Sequence, residues 1–252
     1  MSSPAKKFIQ KRNQHLALTL ERVNYIFSYI HFCHNVMVAD QVKYSRQWVK
    51  DNTSDKDKFE NFLKKKLVHD YLKKHKKKFP PKSAIEDILF ECEPEMPYQY
   101  YDPVAQKNKE ANDRIDIKVN RIGLQNIWKN IDDQDIYLAV ECKILSKLAD
   151  NAQYLTDIQK FCDREHQHFR LPIEGMLAFK ESKNIRTSEF AGDLNKRLTT
   201  SQTITTKQFL TGSEISSFQD SYYYSRQLRN FGNKNEFSVC HLYLDYSDVM
   251  SA

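Results

Sequence analysis

The stretch Ile136–Leu145 constrains this chain most, because it reads as its strongest strand and carries charge on only one side. Side chains alternate across a pleated strand. Leu138, Val140, Cys142 and Ile144 therefore share one face, which is apolar and suited to a core. Tyr137, Ala139, Glu141 and Lys143 share the other. A carboxylate and an ammonium thus stand two residues apart on one face of a strand whose flanks are apolar.

The segment before it, Arg114–Val119, alternates in the same way. Ile115, Ile117 and Val119 are expected on its core face, which puts Asp116 with Arg114 and Lys118. If the two strands pair, Asp116 and Glu141 converge from neighbouring strands. Converging carboxylate oxygens suit Mg²⁺, with Mn²⁺ as the alternative ion, because a hard cation takes few protein oxygens and leaves room for water and phosphate. Asp116, Glu141 and Cys142 are the candidate metal ligands. Lys143 is placed to orient an attacking water and to stabilise developing negative charge. Glu-x-Lys spacing is weak by itself, and Glu181-Ser182-Lys183 repeats it. That copy ends a strand with no Asp strand before it, so it reads as a charged surface pair. Asp116-Ile117-Lys118 also fits Asp-x-Lys.

Around these strands the apolar spacing predicts a helix over 5–50, through Ala17, Leu18, Leu20, Val23, Ile26, Phe27, Ile30 and Val36. A polar break at 51–57 offers Ser54 and Asp55 as N-caps. A second helix is expected over 56–76, with Phe59, Phe62, Leu63, Leu67, Tyr71 and Leu72 as its apolar stripe. Its lysines, among them Lys64, Lys65, Lys66, Lys73 and Lys74, read either as a solvated face or as a phosphate-facing surface. Pro80 and Pro81 end it. Strands are expected at 88–93, 114–119, 136–145, 173–180 and 237–246, and helices at 148–168 and 184–200. Residues 94–110 read as a polar connection, 120–135 as an insertion and 201–220 as a Thr- and Ser-rich stretch. The expected fold class is α/β: a mixed central sheet covered by helices. Residues 1–52 are expected as an N-terminal helical extension and 53–252 as the main domain.

The 252 residues suffice for a real core, and the 40% hydrophobic fraction is that of a globular protein. A net charge of +6, from 39 basic against 33 acidic residues, allows nucleic-acid binding without requiring it. The five cysteines are scattered and form no CxxC, which argues against a disulfide framework or a zinc knuckle. Cys162, His166 and His168 lack a fourth zinc ligand. Tyr222-Tyr223-Tyr224 beside Arg226 and Arg229 could stack bases, but reads better as core or interface. No Walker A sequence, nucleophile elbow or GxGxxG is present. No signal peptide or membrane span is expected, so the default location is the cytoplasm.

Arg114-Ile115-Asp116-Ile117, followed by Tyr137-Leu138-Ala139-Val140-Glu141-Cys142-Lys143, resembles motifs II and III of the PD-(D/E)xK, restriction-endonuclease-like nucleases. Residues 56–246 also resemble their αβββαβ core in element order, and residues 174–179 and 241–246 look like segments of its bacterial restriction-like members. Ile115 stands where the family's Pro is often found. The resemblance implies a Mg²⁺-dependent endonuclease that hydrolyses DNA, in a setting such as bacterial anti-phage defence. It implies an acid from the first core helix, for which Glu60 is the candidate and Glu86 and Glu91 the rivals. It also implies a Gln or basic residue on the helix after Glu-x-Lys, where Gln159 and Arg164 lie. Lys64, Lys65, Lys73, Lys74 and Arg164 are the expected nucleic-acid contacts. Partner subunits of a defence complex, or further copies of the chain, are compatible with the family. The alternative is a catalytically silent nuclease-fold subunit that binds nucleic acid or a partner protein.

Overall fold

The computed structural model describes residues 4–52, 59–80, 85–102, 104–128, 135–166, 170–213, 218–231 and 235–251. The first helix, α1 (Pro4–Ala39), ends well before residue 50. Gln41 takes a left-handed conformation (φ 53°) and its N–H bonds the carbonyl of Val38, which closes the helix. A short strand β1 (Tyr44–Ser45) and a helix α2 (Arg46–Asn52) follow. Then comes α3 (Phe59–Lys66), prolonged by one π-helical turn over Leu67–Leu72. Ser54 and Asp55 lie outside the described residues, as does His168.

The remaining elements are β2 (Leu89–Cys92), β3 (Glu95–Asp102), β4 (Lys107–Arg114), β5 (Ile117–Asn120), β6 (Tyr137–Leu145), α4 (Asn151–Asp163), β7 (Glu165–His166), β8 (Ile173–Lys180), α5 (Thr187–Thr200), β9 (Thr206–Gly212), β10 (Tyr222–Leu228), β11 (Glu236–Asp245) and β12 (Met250–Ser251). Seven strands form one sheet in the order β2-β5-β6-β8-β11-β10-β9. Its centre, β6-β8-β11, is parallel, and the pairings on either side are antiparallel. This is a mixed α/β sheet. The parallel step from β6 to β8 needs a crossover, and α4 supplies it.

Helices cover both faces. Val23, Ile26, Phe27 and Ile30 of α1 share one core with Leu138, Val140 and Cys142 of β6 and with Leu177 and Phe179 of β8. On the other face Tyr154, Ile158 and Phe161 of α4 and Phe190 and Leu194 of α5 pack with Met176, Ala178 and Tyr243. Strand β8 is buried along its whole length, as a strand covered on both faces must be. At Gly175 within it, an added Cβ would lie 2.7 Å from Val140 Cγ2 and 2.9 Å from Phe27 Cζ, so the close seat of α1 on the sheet requires glycine there.

Three further expectations are corrected. Residues 94–110 are largely the hairpin β3–β4, which β7 extends into a separate three-stranded sheet. The hairpin buries little beyond Met96, so its sequence lacks the apolar alternation that marks a strand. Residues 114–119 are not one strand: β4 ends at Arg114 and β5 begins at Ile117. Ile115 accordingly packs with Met96, Tyr137 and Ala139, while Ile117 and Val119 join the core on the opposite face. The Thr-rich 201–220 stretch contains β9, an edge strand whose outer positions stay exposed.

Candidate active site

The β5–β6 ladder begins with Ile117 opposite Val140, and Asp116, just before it, lies beside Glu141 of β6. Asp116 Oδ2 accepts the main-chain N–H of Cys142 at 2.8 Å, which fixes the Asp116 carboxyl against β6. Glu141 is only 7% exposed. Burial, then the negative charges of Asp116 and Asp157, push its carboxyl well above the usual carboxylate range, and it shares a hydrogen bond with Asp116. The strand break at Asp116 therefore turns this acid onto the face that carries Glu141. Cys142 points its thiol the other way, into the α1-side core, where burial pushes its pKa well up. Only its main chain reaches the site.

Lys143 lies between two helices. Its Nζ is 3.3 Å from Glu60 Oε1 on α3 and 3.1 Å from Asp157 Oδ2 on α4. Burial opposes its charge, but Glu60 and Asp157 outweigh that and raise its pKa, so the ammonium stays charged. Glu60 Oε2 also accepts the N–H of Ile144 at 3.0 Å. Glu60, expected as the acid that the first core helix adds to the metal site, thus reaches the end of β6 through Lys143 and the main chain. Asp157 was not anticipated. It is 1% exposed and lies on the buried stripe of α4, one turn after Tyr154 and beside Ile158. A carboxylate on an apolar stripe was the signal for it. Lys160 also pairs with it, at 2.6 Å.

The lysines of α3 and the turns after it divide by burial. Lys64, expected on a phosphate-facing surface, is 1% exposed and bonds Asp116. Its position four residues after Glu60 puts it on the site side of α3. Lys65 is half-buried and 3.8 Å from Glu93. Lys73 and Lys74 are exposed, and Lys74 pairs with Asp70 at 3.0 Å. Arg164 pairs with Asp113 of β4 and stacks 4.7 Å over the Tyr98 ring of β3, so it ties α4 to the hairpin. Gln159 bonds Asp163 and Thr203. Glu91 bonds Asn120 on the neighbouring strand and Glu86 is exposed. None of these three is bonded to Asp116, Glu141 or Lys143 among the described contacts. Glu181 of the second Glu-x-Lys copy bonds Arg46 and Ser146, and Lys183 pairs with Asp248.

The donor chemistry fits a divalent cation. Two hard carboxyls are pressed together in a poorly solvated place, and a cation between them would offset the burial and the repulsion that raise the Glu141 pKa. Among the described residues no group of three His, Cys, Asp or Glu side chains is arranged to hold a metal, so the candidate donor set is the Asp116–Glu141 pair. Mg²⁺ is commonly bound through one or two carboxylates, with water and phosphate completing its shell. No helix among the described residues is long and apolar enough to cross a membrane. No protein-family model, curated protein or solved structure matches the chain.

Proposed function

We propose that this protein is a Mg²⁺-dependent nuclease of the PD-(D/E)xK type, acting as an endonuclease on DNA phosphodiester bonds. The observation that carries the reading is the convergence of Asp116 with Glu141, with Lys143 two residues further along the same strand face. The order α3, β2, β5, β6, α4, β8 supports it, since with the separate sheet of β3, β4 and β7 set aside it runs αβββαβ, with Asp116 just before the second strand and Glu141 on the third. Asp116 and Glu141 would hold the cation, with the Cys142 N–H fixing the Asp116 carboxyl against β6. Mg²⁺, or Mn²⁺ in its place, supplies a water of lowered pKa and neutralises charge on the scissile phosphate. Lys143 presents a fixed ammonium to the water and the phosphate, and Asp157 and Glu60 set its direction. DNA as substrate and anti-phage defence as purpose rest on the resemblance in sequence.

The test is conversion of supercoiled plasmid in Mg²⁺, comparing wild type with Lys143→Ala. The expected result is cleavage by wild type that EDTA stops and Lys143→Ala lacks; equal cleavage by both removes Lys143 from the mechanism. A second reading, a catalytically silent subunit, draws on one observation: Asp116 is already bonded by Lys64, and Lys143 by Glu60 and Asp157. Absence of cleavage by wild type in Mg²⁺ or Mn²⁺ favours it.

A further inference from the structure

Helix α3 sends two charges into the site one turn apart, Glu60 to Lys143 and Lys64 to Asp116. We propose that Lys64 is the resident counter-cation of Asp116, and that a divalent ion reaches Asp116 by displacing the Lys64 ammonium onto Glu93. This rests on the nuclease reading, which makes Asp116 a metal ligand. A buried ammonium must keep an anionic partner, and Lys64 has two. It bonds Asp116 Oδ1 and lies 3.0 Å from Glu93 Oε1, with Asn61 Oδ1 at 3.3 Å. The other oxygen of Asp116 is committed to the Cys142 N–H. The Asp116 oxygen that carries no main-chain bond is therefore the one that Lys64 occupies. A metal–oxygen contact of about 2.0–2.6 Å and an ammonium on the same oxygen set two cations against each other.

Glu93 supplies the alternative seat. Its Oε1 is buried and, although close to the ammonium, receives no well-directed hydrogen bond. Its main-chain N–H bonds the Asp116 carbonyl at 3.0 Å, which keeps the two carboxylates side by side. Arg114 and Lys65 hold its other oxygen, and the left-handed backbone at Glu93 (φ 58°) turns the chain between β2 and β3 there. Lys64 can leave Asp116 and remain paired, so displacement exposes no bare buried charge. Metal affinity is then set by a competition within the protein, between the ion and a lysine of α3.

Calorimetric titration of Mn²⁺ into wild type and Lys64→Met tests this. Lys64→Met should bind about tenfold tighter or better. Equal or weaker binding by Lys64→Met, with wild type binding normally, overturns the displacement and leaves the metal reading intact. Binding by neither protein removes the metal reading and the inference together. If Lys64→Met shows no cooperative melt, a crystal structure of wild type soaked in Mn²⁺ decides. An anomalous peak on Asp116 with Lys64 moved onto Glu93 supports the proposal. The same peak with Lys64 still bonded to Asp116 overturns it, and no peak at Asp116 removes the metal reading with it.

Discussion

Two buried polar groups sit on the α4 side of the sheet, and they are built on opposite principles. Behind α4, Tyr154 Oη lies 3.0 Å from His241 Nδ1, His241 Nε2 lies 2.8 Å from Ser225 Oγ, and Gln227 donates to Ser225 at 2.8 Å. All four residues are fully buried, and burial pushes the His241 pKa down to about 3, so the chain of bonds is neutral. At the ends of β5 and β6, by contrast, acids and lysines are crowded together, and Glu141 is forced above its ordinary range by burial and by Asp116. A neutral network joins α4 to β10 and β11. At the charged site burial sets like charges against one another, and a buried charge cluster is poor at stabilising by itself.

The largest expected effect separates the two regions by activity. Glu141→Ala should lower Mg²⁺-dependent plasmid cleavage by about 10²–10³-fold, whereas His241→Phe should leave the cleavage rate of the folded protein near wild type. Comparable losses in both, measured on protein checked for folding, would erase the distinction. Next comes stability, where the order reverses. His241→Phe strands the hydroxyl of Tyr154 and leaves Ser225 bonded to Gln227 alone, an unmet buried group costing about 1–3 kcal/mol. A fall of that size in denaturant unfolding is expected, and no fall would show that the network is not structural.

Glu141→Gln should move the other way and raise the stability of metal-free protein by about 1–2 kcal/mol at neutral pH, because a neutral amide replaces a carboxyl whose ionisation is disfavoured there. The sign follows from the raised pKa. Protonated Glu141 favours the folded state, fully so below the ordinary carboxyl pKa, and this contribution is lost as pH rises towards the raised value. Melting temperature against pH should therefore decline over that range in wild type and flatten in Glu141→Gln; parallel profiles would contradict the crowding of the acids. The smallest effect is expected at Asp157→Asn, which loosens Lys143 without removing it. About a tenfold loss of cleavage is expected, with Mn²⁺ affinity nearly unchanged. A variant as dead as Lys143→Ala would make Asp157 more than a positioning residue.

The site's strand residues were legible because period-two alternation is a strong local signal: Leu138, Val140 and Cys142 face the core and Glu141 and Lys143 do not. Asp116 was found by the same rule, although for a partly mistaken reason. The chain breaks between β4 and β5, and Ile115 and Ile117 lie on opposite faces. No local pattern shows such a break, because both neighbours are apolar. The role of Lys64 was hidden by its company, since a lysine within a run of lysines looks like a surface, and its burial depends on Asp116 and Glu93, 52 and 29 residues away in the sequence. The β3–β4 hairpin was illegible because its pairing rests on main-chain bonds between polar strands.

The central claim is that Asp116 and Glu141 together hold the cation on which cleavage depends. The most direct measurement is the nicking rate of supercoiled plasmid across a Mg²⁺ titration, for wild type, Asp116→Asn and Glu141→Ala in parallel. Saturable, EDTA-sensitive nicking by wild type and near-complete loss in both variants are expected. Nicking by either variant at the wild-type rate and with the wild-type Mg²⁺ dependence would contradict the claim.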